Sequence, residues 1–352
     1  MLKRITLMII ASINICMLHA QCFSGEYTAE GQWKLNNSMK SNFVNLLRLN
    51  LDIALRKGSN TDMLQVATLH MAKTADPICG DWQGFSNIEA DNNVAAIAVL
   101  GYMHEWRHGH LFLGVRNVNE DFFTSDVTSL FTNGSCGIFP TIAASYPIAN
   151  YPFSGLTVYF DVALAKGWVL RNSIYNGTGY NGWKHDDNPF LVRPKTDGIF
   201  NMSQLEYEHR GAQYYAGVAV HTRQQQDADD NCPTSDNHSV AKTTCAWWVY
   251  GEQPLWTSAD KCLKCMVQYS ENTSRQNECY RYAEVGCAYS DDANQCGVSA
   301  QYARYRQGTE RSVEATWRRQ LTKAIAMQPS VQYITNDEGN YAVLTARLCF
   351  SF

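Results

Sequence analysis

The residues best suited to chemistry form the stretch HEWRHGH, from His104 to His110. It satisfies H-E-x-x-H, the pattern in which two imidazoles on one helical face bind zinc and a glutamate activates water. A zinc hydrolase would need His104 and His108 on a helix, with a third ligand elsewhere in the chain. However, His110 comes too early for the extended metzincin pattern, and HLFLGVRNV (110–118) is strongly strand-like. In a strand, His104 and His108 would stand about 13 Å apart at ~3.3 Å per residue, too far to share one ion.

Charge and hydropathy limit the kinds of molecule that the protein can bind and the kinds of membrane segment that it can contain. The formal net charge is −4, and the two signs are dispersed along the chain, which argues against a nucleic-acid partner. Outside the N-terminal segment, no apolar run approaches the ~20 residues of a membrane helix. Mean hydropathy is −0.31, although 12% of the residues are aromatic. A soluble, Tyr-rich β protein and an outer-membrane barrel, whose membrane signal is alternation, both fit these values.

The N-terminal segment has the features of a secretory signal. Lys3 and Arg4 precede an apolar run (5–18) and an approximate small-residue cleavage site. We therefore predict a signal peptide over 1–20 and export from the cytoplasm. No charge run, repeat or Pro-rich linker marks a domain boundary, so we expect one mature domain over 21–352.

The cysteines of the mature chain predict disulfides. In an oxidising compartment their odd number indicates disulfides with one thiol left over. These cysteines are Cys22, Cys79, Cys136, Cys232, Cys245, Cys262, Cys265, Cys279, Cys287, Cys296 and Cys349. Their spacing leaves the pairing open. Cys262 and Cys265 also match half of a zinc ribbon or a redox pair, but the surrounding KCLKCMVQYS reads as a strand and no helix follows it.

Alternation of apolar and polar residues recurs along the whole chain. Most alternating segments have about ten residues, enough for a tilted strand to cross a bilayer and more than the ~5–6 typical of soluble sheets. The predicted strands are 43–55, 63–72, 93–106, 110–118, 156–165, 168–177, 202–211, 212–222, 244–256, 262–271, 278–290, 297–307, 311–321, 323–335 and 340–352, with a further one around 31–40. Short connections, such as 107–109 and 165–167, contrast with long ones at 119–154, 178–200 and 223–243. This pattern is typical of an all-β transmembrane antiparallel barrel of about sixteen strands, with short periplasmic turns and longer extracellular loops.

The C-terminal strand shows the alternation most clearly. One face has Phe352, Phe350, Leu348, Ala346 and Leu344, and the other has Ser351, Cys349, Arg347 and Thr345. A surface that meets lipid outside and water inside requires this division. The alternative is the last strand of a soluble sandwich, with its phenylalanines packed in a core.

The middle and the end of the chain resemble the carbohydrate-selective porins of the OprB type. The resemblance rests on RNVNEDFFTSDVTSLFTNGSCGIFPTIAASYPIANYPFSGLTVYF (116–160), on WVYGEQPLW (248–256), and on the closing strands from 312 to 352, in which QPSVQYI (328–334) is the most specific piece. It implies a sixteen-stranded barrel, usually trimeric, that passes sugars passively across the outer membrane. Sugars and outer-membrane lipid are then the expected partners, with no cofactor and no enzymatic step. The resemblance also makes 93–118 a hairpin, which argues against the zinc hydrolase.

Strand parity and position in the long loop select the residues that we predict to line the pore: parity aims the strand residues inward, and Asn119, Glu120 and Asp121 open the long segment close to the rim. The long segment 119–154 is the candidate loop folded into the barrel as a constriction, and alternation along 110–118 aims Arg116 inward. The candidate residues are Arg116, Asn119, Glu120, Asp121, Glu252, Glu314, Arg318, Gln328, Gln332 and Arg347. Inward arginines that face loop carboxylates would set a transverse field and orient polar solutes. The plainer interpretation is that these charges are merely solvated, as in any barrel lumen.

Two other functions are consistent with the sequence. The chain could be a secreted or surface cysteine-rich β protein that binds glycans, which would be soluble without detergent. It could also be a former porin that serves as a scaffold, with its lumen plugged by cysteine-stapled loops.

Overall fold

The chain folds into a closed β-barrel. The computed structural model describes residues 21–36, 38–150, 152–180, 182, 187–226 and 240–352. The predicted signal peptide over 1–20, Cys232 and most of the predicted connection 223–243 lie outside the described residues. The strands of the described residues are β1 (Gln21–Lys34), β2 (Lys40–Arg56), β3 (Thr61–Lys73), β4 (Asn93–Trp106), β5 (Gly109–Arg116), β6 (Gly155–Ala165), β7 (Trp168–Tyr175), β8 (Phe200–His209), β9 (Ala212–Gln226), β10 (Val240–Ser258), β11 (Lys261–Asn272), β12 (Cys279–Ser290), β13 (Asn294–Tyr305), β14 (Thr309–Thr322), β15 (Ile325–Asn336) and β16 (Gly339–Ser351).

Each strand pairs antiparallel with its sequence neighbours, and β1 pairs with β16 to close the sheet. The prediction of an antiparallel barrel of about sixteen strands is confirmed. The largest difference lies at 31–40, which was predicted as one strand but contains the end of β1 and the start of β2. The chain turns there because the Asn36 amide binds the backbone of β16, at Asn340 O (2.9 Å) and Ala342 N (3.0 Å).

The outward-facing residues form an apolar band around the barrel. On the neighbouring strands β11 to β15, Val267, Val285, Val298, Val313 and Val331 are all about half exposed. Large apolar side chains exposed in a continuous ring are unfavourable in water and favourable in lipid.

The C-terminal strand has the predicted two faces. Leu348 is 45% exposed on the outer face, whereas Thr345 and Arg347 are 1% and 7% exposed on the inner face. A sandwich core would instead bury the apolar face. The alternation is therefore that of a barrel strand, with apolar side chains toward lipid and polar side chains toward the interior.

The two rims of the barrel have different connections. At one rim, here the short-turn rim, the turns are 57–60, 107–108, 166–167, 210–211, 259–260, 291–293 and 323–324. The tightness of the 166–167 turn depends on Gly167, whose φ is 78° and whose missing Cβ would meet Glu208 O at 2.3 Å. The opposite, long-loop rim has two long connections that fold across or into the barrel, 74–92 (loop A) and 117–154 (loop B).

Loop B contains the helical segments of the described residues. Two single-turn helices, α1 (Gly134–Gly137) and α2 (Pro140–Ala143), are accompanied by short 3₁₀ turns at Val118–Glu120, Thr128–Leu130 and Pro147–Ala149. None of these described helices has the length and apolar character needed to cross a membrane.

The HEWRHGH stretch is a hairpin and not a helix. His104 to Trp106 end β4, and β5 begins at Gly109. His104 pairs with Leu111 across the hairpin and His110 with Glu105, so the two histidines lie on opposite faces of the sheet. His104 contacts Asp62 (2.6 Å) and His110 contacts Asp161 (2.9 Å). The helical geometry that a zinc hydrolase requires is therefore missing here, as the hairpin interpretation predicted.

Disulfide formation is confirmed for one pair of cysteines. Cys265 and Cys287 lie directly opposite each other on β11 and β12 and are bonded. The expectation that nearly all cysteines pair is wrong for the other described ones, which are free: Cys22, Cys79, Cys136, Cys245, Cys262, Cys279, Cys296 and Cys349. The registers explain this, because no other described strand pair places two cysteines opposite each other; Cys262, for example, faces Ser290, and Cys296 faces Tyr289. In the described part of the chain no three metal-binding side chains cluster.

Candidate pore site

Loop B occupies much of the barrel lumen. Its large apolar residues are deeply buried: Phe122, Phe131, Phe139, Ile142 and Tyr146 are all at most 1% exposed. They pack against inward-facing aromatic side chains of the wall, such as Trp248 and Tyr282. The lumen is therefore a packed core over part of its section and not an open water column.

Glu314 on β14 fixes the middle of loop B. Its carboxylate accepts hydrogen bonds from the Thr132 backbone N–H (2.8 Å), the Thr132 hydroxyl (2.8 Å) and the Asn133 N–H (3.0 Å). The Ser330 hydroxyl on β15 donates a fourth bond (2.8 Å). Glu314 is fully buried, so these bonds replace the water that an ionised carboxylate would otherwise bind.

Two glutamines on β15 fix further points of the loops. Gln328 Nε2 donates to Leu130 O of loop B (2.6 Å). Gln332 Nε2 donates to Phe85 O of loop A (2.6 Å) and to the Thr132 hydroxyl (3.0 Å). Gln332 thus joins both loops to the same strand.

Loop A is held by Glu310 and by loop B. Glu310 accepts the backbone N–H groups of Trp82 (2.7 Å) and Gln83 (2.9 Å). Backbone bonds from Asn87 N to Thr132 O and from Gly134 N to Gly84 O, each 2.7 Å, join the two loops. Loops A and B therefore form one hydrogen-bonded unit inside the long-loop rim.

Ion pairs fix the start of loop B. Arg116 makes a bidentate pair with Asp121 (2.6 and 2.7 Å), and its guanidinium lies 4.6 Å from the centre of the Phe112 ring. Glu120 pairs with Arg48 of β2 (2.6 Å). Burial raises the pKa of Asp121 to about 6, although the Arg116 guanidinium acts in the opposite direction.

Charged groups also line the wall beside loop B. Glu252 on β10 accepts hydrogen bonds from Lys264 (2.6 Å), the Tyr250 hydroxyl (2.8 Å) and the Ser125 hydroxyl. Lys264 also contacts the exposed Asp126 of loop B (3.2 Å). On β7 and β8, Arg171 pairs with Glu206 (2.9 Å).

Described residues of loop B and the barrel wall line two cavities. The larger, of about 1070 Å³, extends along β7 to β11 and is lined by residues of both loops and of the short-turn rim: Trp82, Gln83, Asn87, Glu89, Asn119, Asp126, Arg171, Glu206, Arg210, Gln213, Glu252, Lys264 and Tyr305 are among them. The smaller, of about 410 Å³, contains Arg318, Asp291 and Asp292 in its wall. Ser129 of loop B borders both cavities and so lies between them.

The structure separates the ten sequence-selected residues into groups. Asn119 and Glu252 border the larger cavity, and Arg318 borders the smaller one. The remaining residues border neither cavity; they brace the loops: Arg116, Glu120, Asp121, Glu314, Gln328, Gln332 and Arg347. Arg347 does so by pairing with the buried Glu30 and donating to the Ser86 hydroxyl of loop A (3.3 Å).

Sequence reasoning missed several residues of the larger cavity. Lys264, Arg171 and Glu206 lie on predicted strands, and the parity argument that selected Arg116 selects them as well. Trp82 and Gln83 lie in a connection without periodicity, so no sequence signal places them inside the barrel.

The family model described as "Carbohydrate-selective porin, OprB family" matches residues 83–352. The chain belongs to this family. The match includes loop B, the wall of the larger cavity and the closing strands, and it confirms the resemblance in the sequence. Porins of this family are passive channels for sugars in the outer membrane, and that is the function of this chain.

Solved structures share the barrel fold at low sequence identity. Over 96% of both chains, Pseudomonas putida OprB at high pH has a TM-score of 0.79 and 14% identity. The anion-selective porin from Comamonas acidovorans has a TM-score of 0.62 and 8% identity, over 95% of this chain and 99% of that one. Salmonella typhi OmpF in complex with daunomycin has a TM-score of 0.61 and 12% identity, over 95% and 98%. Among curated proteins, no sequence matches this chain.

Proposed function

We propose that sugars cross the barrel through the larger cavity, along the wall formed by β7 to β11. The lining of this cavity carries the proposal, because it includes Trp82 and Tyr305 near the long-loop rim and the Arg210–Gly211 turn at the short-turn rim. Its volume of about 1070 Å³ is at the upper end of the range of small-molecule sites. A single sugar with its hydration water fits such a route.

The charged groups of this route bind solute weakly and release it. Lys264 and Arg171 are donors, and Glu252, Glu206 and Asp126 are acceptors. Sugar hydroxyls exchange with these paired groups and with water, so no single contact holds the solute strongly. Asn119, which is exposed, adds a neutral amide to the same lining.

The other sequence-selected residues act by holding the constriction. Glu314, Gln328 and Gln332 keep loop B on the wall, and Arg347 supports loop A through Ser86. Arg116, Glu120 and Asp121 fix the first turn of loop B, the proposed constriction loop (119–154). Arg318 lines a side compartment that loop B separates from the main route.

We place the short-turn rim in the periplasm and the long-loop rim outside the cell. Residues 1–20 act as the signal peptide, and 21–352 form one barrel domain. The outward apolar band supports insertion into the outer membrane, and the family resemblance supports a homotrimer. Cross-linking of the purified protein in detergent tests the trimer, and mass spectrometry of its N-terminus tests cleavage before Gln21.

Planar-bilayer recording tests the proposed route. Wild-type protein should conduct ions, and added glucose should partly block the current. A plugged scaffold is the second candidate, because both loops are bonded to each other and to β14 and β15. A folded barrel that shows heat-modifiable migration but no ion conductance would favour the scaffold.

A further inference from the structure

The amide of Gln83 in loop A is buried without a partner. Gln83 is 8% exposed and borders the larger cavity, and neither its Oε1 nor its Nε2 has a hydrogen-bond partner among the described residues. The lumen glutamines Gln328 and Gln332 are equally buried, but each donates to a loop carbonyl. A buried amide that lacks both bonds is costly to maintain. A turn of the side chain toward the cavity would let a molecule there, one that both donates and accepts hydrogen bonds, remove this cost.

The preceding residue, Trp82, borders the same cavity, and its ring is firmly held. Its Nε1 donates to Glu338 (3.2 Å), and its ring meets the Tyr305 ring edge-on at 5.5 Å. Gly308 also lies against the ring. A Cβ at this position would stand 3.0 Å from Trp82 Cη2, so a larger residue at 308 would crowd the ring. Trp82 is only partly buried and borders the same cavity. The cavity wall therefore includes a fixed aromatic ring and, at the next residue in the chain, a buried amide without a partner among the described residues.

Two further polar groups of loop A complete the arrangement. Asn87 is exposed at the cavity, and Glu89 Oε1 is buried without a partner among the described residues, while Glu89 Oε2 accepts from Gln32 (3.1 Å). Together Trp82, Gln83, Asn87 and Glu89 form what we call the loop A subsite. It offers an apolar ring surface, a neutral donor and acceptor, and a carboxylate acceptor within one segment of eight residues.

We infer that the loop A subsite binds a neutral saccharide at the outer end of the pore, before the solute reaches the charged wall at Glu252 and Lys264. Sugars present weakly apolar faces that pack on an aromatic ring, and rims of hydroxyls that donate to a carboxylate and pair with an amide. The carboxylates of Glu89 and of Glu310 beneath loop A disfavour anions. This inference rests on the proposed route through the larger cavity, and it adds a recognition step on loop A, which lies outside the strands.

Sugar block of the ion current in planar bilayers tests the inference, with D-glucose and maltose as probes. Gln83→Leu should raise the half-blocking concentration about fivefold, as expected for the loss of one or two hydrogen bonds. Trp82→Ala should raise it at least as much, and Trp82→Phe should restore most of the affinity. The sugar-free conductance of each variant is recorded first, and the half-blocking concentration is determined relative to that variant's own sugar-free current. The matched control is Gln295→Leu, which removes an amide from the smaller cavity and should leave the half-blocking concentration unchanged.

Unchanged half-blocking concentrations in both Gln83→Leu and Trp82→Ala would overturn the inference. If Gln83→Leu fails to give conducting channels, Trp82→Ala alone decides in the same way. A wild-type channel that admits sugars in liposome swelling but is never blocked by them would also overturn the subsite, and would leave the porin function intact. A wild-type barrel that neither conducts nor admits sugar would contradict both.

Discussion

Removal of the Glu314 carboxylate should release loop B from the wall. In Glu314→Ala, three hydrogen bonds from loop B are lost, namely those from Thr132 N, the Thr132 hydroxyl and Asn133 N. A bond to a charged acceptor contributes about 1.5 kcal/mol at the low end, so the docked state of the loop should lose about 4.5 kcal/mol. That corresponds to roughly a two-thousandfold change in the ratio of docked to released loop.

Single-channel recording measures this change directly. Glu314→Ala should show a larger and noisier conductance than wild type, and liposomes that contain it should admit oligosaccharides that wild type excludes. Glu105→Ala is the matched control, because Glu105 faces the lumen near the short-turn rim, away from loop B, and its contact with the His110 imidazole is a loose one of 3.8 Å. This control should leave the conductance near the wild-type value. Folding of both variants is checked by heat-modifiable migration on gels.

A Glu314→Ala channel with wild-type conductance and wild-type size exclusion would refute this reasoning. It would mean that the packing of Phe131 and Phe139 against the wall holds loop B without the carboxylate. The same variant would then be expected to lose stability without any change in permeation.

Three further predictions concern the loop charge, the disulfide and the outer face. The pKa of Asp121 is about 6, so the negative charge of this carboxylate is lost as the pH falls through 6. The reversal potential of the channel should therefore shift toward anion selectivity in a step near that pH. Asp121→Asn should show the shifted selectivity already at pH 7 and no step, and a full step in this variant would contradict the assignment. Cys265→Ser should lower the free energy of unfolding by up to about 3 kcal/mol, measured by urea titration. Peptide mapping of the non-reduced wild type should find the Cys265 and Cys287 peptides linked, and separate peptides would contradict the bond. Leu348→Arg should destabilise the barrel in lipid by about 2–4 kcal/mol, measured by reversible unfolding from vesicles, and a neutral effect would show that this face does not meet lipid.

The barrel itself was predictable because its signal is local. In each strand, lipid outside and polar groups inside impose a two-residue period that can be read over about ten residues, as in Arg347 and Leu348. The boundary between β1 and β2 was not predictable, because Asn36 turns the chain through contacts with β16, about three hundred residues away in the sequence. The disulfide pairing depends on the register of neighbouring strands in the same way.

The pore itself was only partly predictable. The two-residue alternation correctly predicts that Glu314, Gln328 and Gln332 point inward. An inward side chain borders water, however, only where no loop fills the lumen. Gln332 illustrates the difficulty, since its partners Phe85 and Thr132 are 247 and 200 residues away. A sequence period cannot report which inward residues a loop will cover. For that reason most of the selected residues brace the loops and only Asn119 and Glu252 border the larger cavity.

Liposome swelling with a graded series of sugars tests most directly whether the route between loop B and the wall is open. Vesicles that contain the purified wild-type barrel should swell quickly in monosaccharides, more slowly in disaccharides and hardly at all in larger oligosaccharides. Vesicles with a correctly folded barrel that do not swell in any sugar would show that loops A and B close the lumen, and would contradict the account.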